Sequence, residues 1–347
     1  MKNRLKESRT MKKLSSCIAL AVFAVVLLLP PHAQCAAVDA LRVGVVVQDA
    51  KAALYEKFHQ NTTGDINAQR IAYEAGKEYL QKYPGDTDAK AKEVKDWVAR
   101  FEANLPVEVQ VKVFREKNYP AAFELGKQLL VKDPDNLKIL TALGYAGMPA
   151  SASGNSDFLA DSMTYAKKAI QLLEAGKAPA DWKPFSGKDE TLSWLNYALG
   201  LMAYRTMPGD AIGYLSRAAQ YEAPPKKDPL LYFYLGTLYN QEYQKQSDSY
   251  TAKFGGKQET PESKAEFERV NALLDPAIDA FARAVAWADA DAASQQRFQQ
   301  QKADWMTKLT DRYKFRHNNS DVGLKEMIDT IRTKPLPGQQ GLTPMSM

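Results

Sequence analysis

Residues 72–84, AYEAGKEYLQKYP, return fifty positions later as AFELGKQLLVKDP at residues 122–134. At that offset Ala72/Ala122, Glu74/Glu124, Gly76/Gly126, Lys77/Lys127, Leu80/Leu130, Lys82/Lys132 and Pro84/Pro134 are identical, with no gap. Each copy starts with a small residue, keeps another one turn later, and ends at a proline, which cannot continue a helix interior. Small residues at i and i+4 share one helix face and let a neighbouring helix approach closely. A chain that reuses such a helix must bury its faces against its own neighbours.

Most of the remaining sequence fits that constraint. The one strand-like run is Val43-Gly44-Val45-Val46-Val47, read as a packed N-terminal cap or tether. Beyond it the spacing is helical, Ala- and Leu-rich, with short Pro or Gly breaks, so an all-α body is expected. With 347 residues, 45% hydrophobic and 25% charged, the chain can bury a sizeable core. Its net charge of +5 belongs to the N-terminus, because residues 1–35 hold six basic side chains against Glu7 alone, leaving 40 basic and 40 acidic residues elsewhere. A neutral body has no net charge with which to hold nucleic acid.

Lys12 and Lys13 precede an uninterrupted apolar run over residues 17–29, followed by Pro30-Pro31 and the small residues Ala33, Cys35, Ala36 and Ala37. That order is basic, apolar, then cleavage site, and the thirteen-residue apolar run is short of the roughly 20 residues a spanning helix needs. Residues 1–37 are therefore expected to be a secretory signal peptide, cut after Cys35 or Ala37. The alternatives are an inner-membrane anchor through residues 14–29 and a lipoprotein, although His32-Ala33-Gln34 does not suit lipidation of Cys35. Met11 opens a tidier leader than Met1. Cys17 and Cys35 are the only cysteines, so the exported protein is expected to have no internal disulfide. Export to the periplasm or envelope is the expected localisation, with membrane contact only through an uncleaved leader.

Asn118-Tyr119-Pro120-Ala121-Ala122 with Pro134, and the pairs Leu143-Gly144, Leu199-Gly200 and Leu235-Gly236, resemble the tetratricopeptide repeat. Tyr119, Ala122 and Pro134 match the second helix of such a unit, and the three Leu-Gly pairs match first helices. Tyr239, three residues past Gly236, stands where the family usually has Tyr. Matching second helices carry Ala166 and Ala169, then Ala211, Leu215 and Ala218, then Ala277, Phe281 and Ala284. The resemblance implies a helix-pair solenoid, a right-handed superhelix with C-terminal capping helices.

Repeat length departs from the family, with 56 residues from Gly144 to Gly200 and 36 from Gly200 to Gly236. Loops are expected at residues 149–156, 223–229 and 246–261, and an extra helix at residues 86–104. Five helix pairs are expected near 50–83, 107–133, 137–174, 190–221 and 228–289, then closing helices near 292–315 and 321–332. The organisation is a leader at 1–37, a short segment at 38–49, a solenoid at 50–315, and a capping helix with a disordered Pro-, Gly- and Gln-rich tail at 316–347. The chain is similar in this order to exported tetratricopeptide proteins of bacterial envelopes.

No enzymatic chemistry is expected. The histidines are His32, in the leader, and His59 and His317, among polar neighbours near helix ends, with no HExxH and no His or Cys pair at metal spacing. Gly255-Gly256-Lys257-Gln258 lacks the Ser or Thr and the preceding strand of a phosphate loop, and reads as a flexible insertion. Asn61-Thr62-Thr63 and Asn318-Asn319-Ser320 match the glycosylation pattern by accident behind a bacterial-looking leader. Asp289, Asp291 and Asp304 read as caps or solvated charges. Neither a metal nor a cofactor is expected.

What remains is a binding groove. Taking each Leu-Gly pair as the family's seventh and eighth positions, the resemblance implies an inner face of Lys138, Thr141, Tyr145, Trp194, Tyr197, Tyr204, Arg205, Phe233, Asn240 and Gln241. The Lys and Asn that clamp a peptide's terminal carboxylate in some family members are replaced by Thr141 and Tyr145, Tyr197 and Leu201, and Phe233 and Thr237. Rigid aromatics with polar tips suit extended peptides instead. The expected function is thus a non-enzymatic protein- or peptide-binding scaffold of the cell envelope. A carbohydrate- or peptidoglycan-associated module is the alternative, and a helical cell-wall hydrolase a second one.

Overall fold

The computed structural model describes residues 49–337. The expected leader, the strand-like run at residues 43–47 and the end of the tail lie outside these residues. Among the described residues there is no strand, and the chain is built of helices packed against their neighbours. It divides into two compact units at Asn104/Leu105.

In the first unit, helix α1 occupies residues 49–61, α2 is Ile66–Lys82, and α3, Ala89–Val111, belongs to this unit up to Asn104. Asp65 caps α2 by accepting from the Ala68 amide at 2.9 Å, and Asp88 does the same for the Ala91 amide at 2.8 Å. Phe58, Ala72, Ala75, Tyr79, Val94 and Val98 form the core. Gly76 permits this packing, since a Cβ there would stand 2.8 Å from Val98 Cγ2.

In the second unit, α3 continues through Pro106 and widens into a π-helical turn, Lys112–Glu116. The extra helix expected at 86–104 thus runs on into the start of the pair expected near 107–133, with no gap between them. Leu105, Val109 and Val113 recur every fourth residue and are all buried, and their packing outweighs the amide that proline lacks. Helix α4, Tyr119–Lys132, starts at Asn118, whose side chain accepts from the Ala121 amide, and ends just before Pro134.

Three pairs follow. Helix α5, Leu137–Ala152, packs on α6, Leu159–Glu174, and α7, Lys188–Ala203, packs on α8, Pro208–Ala218. Helix α9, Pro229–Phe254, packs on α11, Leu274–Ala288, with α10, Pro261–Ala272, inserted between them in sequence. The glycine of each Leu-Gly pair meets its partner helix: a Cβ would lie 2.7 Å from Ala166 Cα at Gly144, 2.5 Å from Leu215 Cγ at Gly200, and 2.8 Å from Phe281 Cδ1 at Gly236. Ala166, Ala169, Ala211, Leu215, Ala218, Ala277, Phe281 and Ala284 are all buried. Helix α12, Ala292–Arg316, packs on α11, and the short α13, Leu324–Thr330, follows.

Two loop boundaries differ from expectation. Helix α5 runs past Pro149 to Ala152, because a proline in the last turn removes a single helical hydrogen bond. Helix α9 likewise continues through the expected 246–261 loop as far as Phe254, where the rings of Tyr250 and Phe254 are 5.1 Å apart and Tyr250 lies 5.5 Å from Phe267 of α10. The connection is only residues 255–260, and Thr260 and Ser263 close it with a reciprocal capping box.

Candidate functional site

The ten residues of the expected inner face fall into two groups. In the first, α5 supplies Lys138, Thr141 and Tyr145, and α7, which packs beside it, supplies Trp194 and Tyr197. Helical spacing sets these side chains side by side. The Tyr145 and Trp194 rings meet edge-on at 5.9 Å, and the Trp194 and Tyr197 rings lie 5.8 Å apart. Tyr145 and Trp194 are half-buried, whereas Thr141 and Tyr197 are buried.

Tyr197 therefore acts in packing. Its hydroxyl donates to Asp228 Oδ2 at 3.0 Å, while the other oxygen of Asp228 caps α9 by accepting from the Leu230 amide at 3.0 Å. Burial, reinforced by the Asp228 charge, pushes the Tyr197 hydroxyl far above the ordinary tyrosine range. The unfolded chain ionises first, so stability holds below about pH 10 and falls above it, by about 1.4 kcal/mol per pH unit for one such tyrosine. Tyr197→Phe is expected to flatten the alkaline decline of the melting temperature by that contribution. An unchanged slope between the two proteins would contradict the assignment.

In the second group, α12 covers part of the α9 face. Phe233 stacks on Trp305 with centroids 5.3 Å apart, and Asn240 Oδ1 accepts from Arg312 Nε at 2.8 Å. Tyr204 and Arg205 follow the end of α7, with Tyr204 edge-on to Tyr234 of α9 at 5.1 Å. Arg205 and Gln241 are exposed. Spacing alone singled out neither Trp305 nor Arg312, because α12 reads in sequence only as a closing helix.

The 175–187 connection between α6 and α7 also reaches residues of the expected inner face. Lys138 Nζ pairs with Asp181 at 2.5 Å and holds that carboxyl below its usual range, and Gln110 Nε2 donates to the Lys183 carbonyl at 2.7 Å. Phe185 sits edge-on to Phe114 at 5.8 Å and 6.4 Å from Tyr145. Beneath the loop lies a small recess of about 10 Å³, room for a single water, bordered by Gln110, Lys138, Thr141, Trp182 and Phe185. Phe114 lies in the π-helical turn and Phe185 in an aperiodic loop, so no repeat signal could have revealed either.

Groups with catalytic potential lie elsewhere. His59 is exposed, stacked on Tyr55, with Nδ1 3.2 Å from Glu93 Oε1. The same Glu93 accepts from the Tyr55 hydroxyl and pushes it up to about 12. His317 ends α12. Asp291 caps α12, and Asp289 and Asp304 pair with Lys302 and Lys308. Among the described residues no cluster of three His, Cys, Asp or Glu could hold a metal, and no helix is long and apolar enough to cross a membrane. No protein-family model matches the sequence, and no curated protein or solved structure matches it significantly.

Proposed function

We propose that the chain is a tetratricopeptide-like helix-pair solenoid that works, without catalysis, as a protein-interaction scaffold in the bacterial cell envelope. A leader at residues 1–37 would carry it there, and intact-mass analysis of protein from the envelope fraction tests whether that leader is cut. The solenoid reading draws support from three glycines at matched positions, each set against its partner helix. The binding reading rests on one observation: Tyr145 and Trp194, on adjacent first helices, form a half-buried aromatic step with polar tips. Such rings give an incoming peptide contact area at low entropic cost.

The partner is a peptide or protein segment, with no nucleic acid and no cofactor. Trp194→Ala is expected to weaken partner binding at least tenfold, about 1.4 kcal/mol, while leaving the helical circular-dichroism signal unchanged. Undiminished binding would contradict the proposal. Sedimentation with purified cell wall that is lost on the same substitution would favour the carbohydrate-binding alternative.

A further inference from the structure

The connection between α6 and α7 does to α5 what a bound peptide would do. Its acid, Asp181, is paired with Lys138 at 2.5 Å. Its backbone offers the Lys183 carbonyl to Gln110 at 2.7 Å. Its aromatic side chain, Phe185, is placed against Phe114 and Tyr145. A turn closed by the Phe185 amide on the Trp182 carbonyl at 2.8 Å sets the acid and the ring on the same face. These contacts engage Lys138 and Tyr145, two of the positions at which the inner face would take a partner.

The loop is not packed like an interior element. Asp181, Lys183 and Pro184 are exposed, and Trp182 and Phe185 are only half-buried. A permanent plug would bury its side chains as a core segment does. The ion pair that ties it down is partly exposed, with side chains 18% and 48% accessible, and such pairs contribute little. The attachment is therefore specific in chemistry, and its ion pair adds little to its strength, leaving the Gln110 hydrogen bond and the packing of Trp182 and Phe185 to hold the loop.

We infer that residues 178–186 are a built-in pseudoligand that occupies the inner face of α5 and yields to a partner segment carrying an acidic residue and, four residues later, an aromatic one. The inference rests on the inner-face reading and specifies the partner chemistry. A tethered segment competes at an effective concentration on the order of millimolar, so the intact loop weakens a partner in trans by the fraction of time it leaves the face open.

The test uses the full chain and a fluorescent peptide of sequence KAPADWKPFSG, copied from residues 177–187. By anisotropy, the double variant Asp181→Ala/Phe185→Ala is expected to bind this peptide at least tenfold more tightly than the wild type. It should not bind a version in which the peptide's own Asp and Phe are replaced by Ala. Equal affinity of wild type and a helical double variant, or equal binding of the two peptides, overturns the inference. If the double variant does not fold, Asp181→Asn alone carries the test, with a gain of at least twofold expected and no gain overturning it. If a partner depends on Trp194 while no loop variant gains affinity, the inner face stands and the pseudoligand fails. If the loop variants gain affinity and Trp194→Ala weakens nothing, the aromatic-step reading fails and the α5 site stands.

Discussion

Arg283→Ala is expected to destabilise the second unit by about 3–5 kcal/mol, the usual result of removing one partner from a buried ion pair. Arg283 and Asp279, one turn apart on α11, are 3% and 7% exposed. The guanidinium donates from Nε to Asp279 Oδ1 at 2.7 Å and from Nη2 to the Pro335 carbonyl at 2.8 Å. It thus ties the segment after α13 across α11 and neutralises an acid far from water. Burial raises the Asp279 carboxyl and Arg283 opposes that rise.

Without the arginine, the carboxyl in the folded state would rise further. A raised folded value means the native state holds its proton longer than the unfolded chain, so the loss is largest at neutral pH. It shrinks as pH falls into the ordinary carboxylate range. Asp279→Leu/Arg283→Met is expected to recover most of the stability. Urea unfolding followed by circular dichroism checks all three proteins; a loss below about 1 kcal/mol in Arg283→Ala would show that the pair is not buried as described.

The second large effect concerns close helix approach, and it predicts opposite signs at two glycines. At Gly144 a Cβ would lie 2.7 and 2.8 Å from the Ala166 Cα and backbone nitrogen, atoms that cannot rotate away. Gly144→Ala is expected to cost about 1–3 kcal/mol by forcing α5 from α6, even though alanine is the better helix former. At Gly213, inside α8, a Cβ would meet nothing within 4 Å. Gly213→Ala is expected to stabilise by about 0.5–1 kcal/mol. Shifts of the same sign in the two variants would mean that the glycine contacts do not hold α5 against α6.

Those two residues also show what the sequence made legible. Positions fixed by helix-to-helix distance announce themselves through residue size, so the Leu-Gly pairs and the buried Ala166, Ala211 and Ala277 could be matched to the repeat they resemble. The expected breaks misled for the opposite reason. Pro149 is a local signal that its late position in α5 overrides, and the gap expected between residues 104 and 107 is closed by the buried stripe of Leu105, Val109 and Val113. At the candidate site, Lys138, Tyr145 and Trp194 were named through the repeat resemblance, which counts along regular helices, and α5 and α7 bring the last two together. Phe114, Trp182 and Phe185 were not, since a π-helical turn and an irregular loop carry no period. Burial of Tyr197 was hidden because its partner, Asp228, comes from the next helix cap, 31 residues away.

The scaffold reading stands or falls on whether a partner touches the step between α5 and α7. A photo-crosslinking amino acid placed at position 194 in cells, with another at the exposed Val131 of α4 as control, tests this contact directly. Adducts would be identified by mass spectrometry. One discrete protein adduct is expected from position 194 and none from 131. Identical adducts from both positions, or none from 194 while the protein is folded in the envelope, would contradict it.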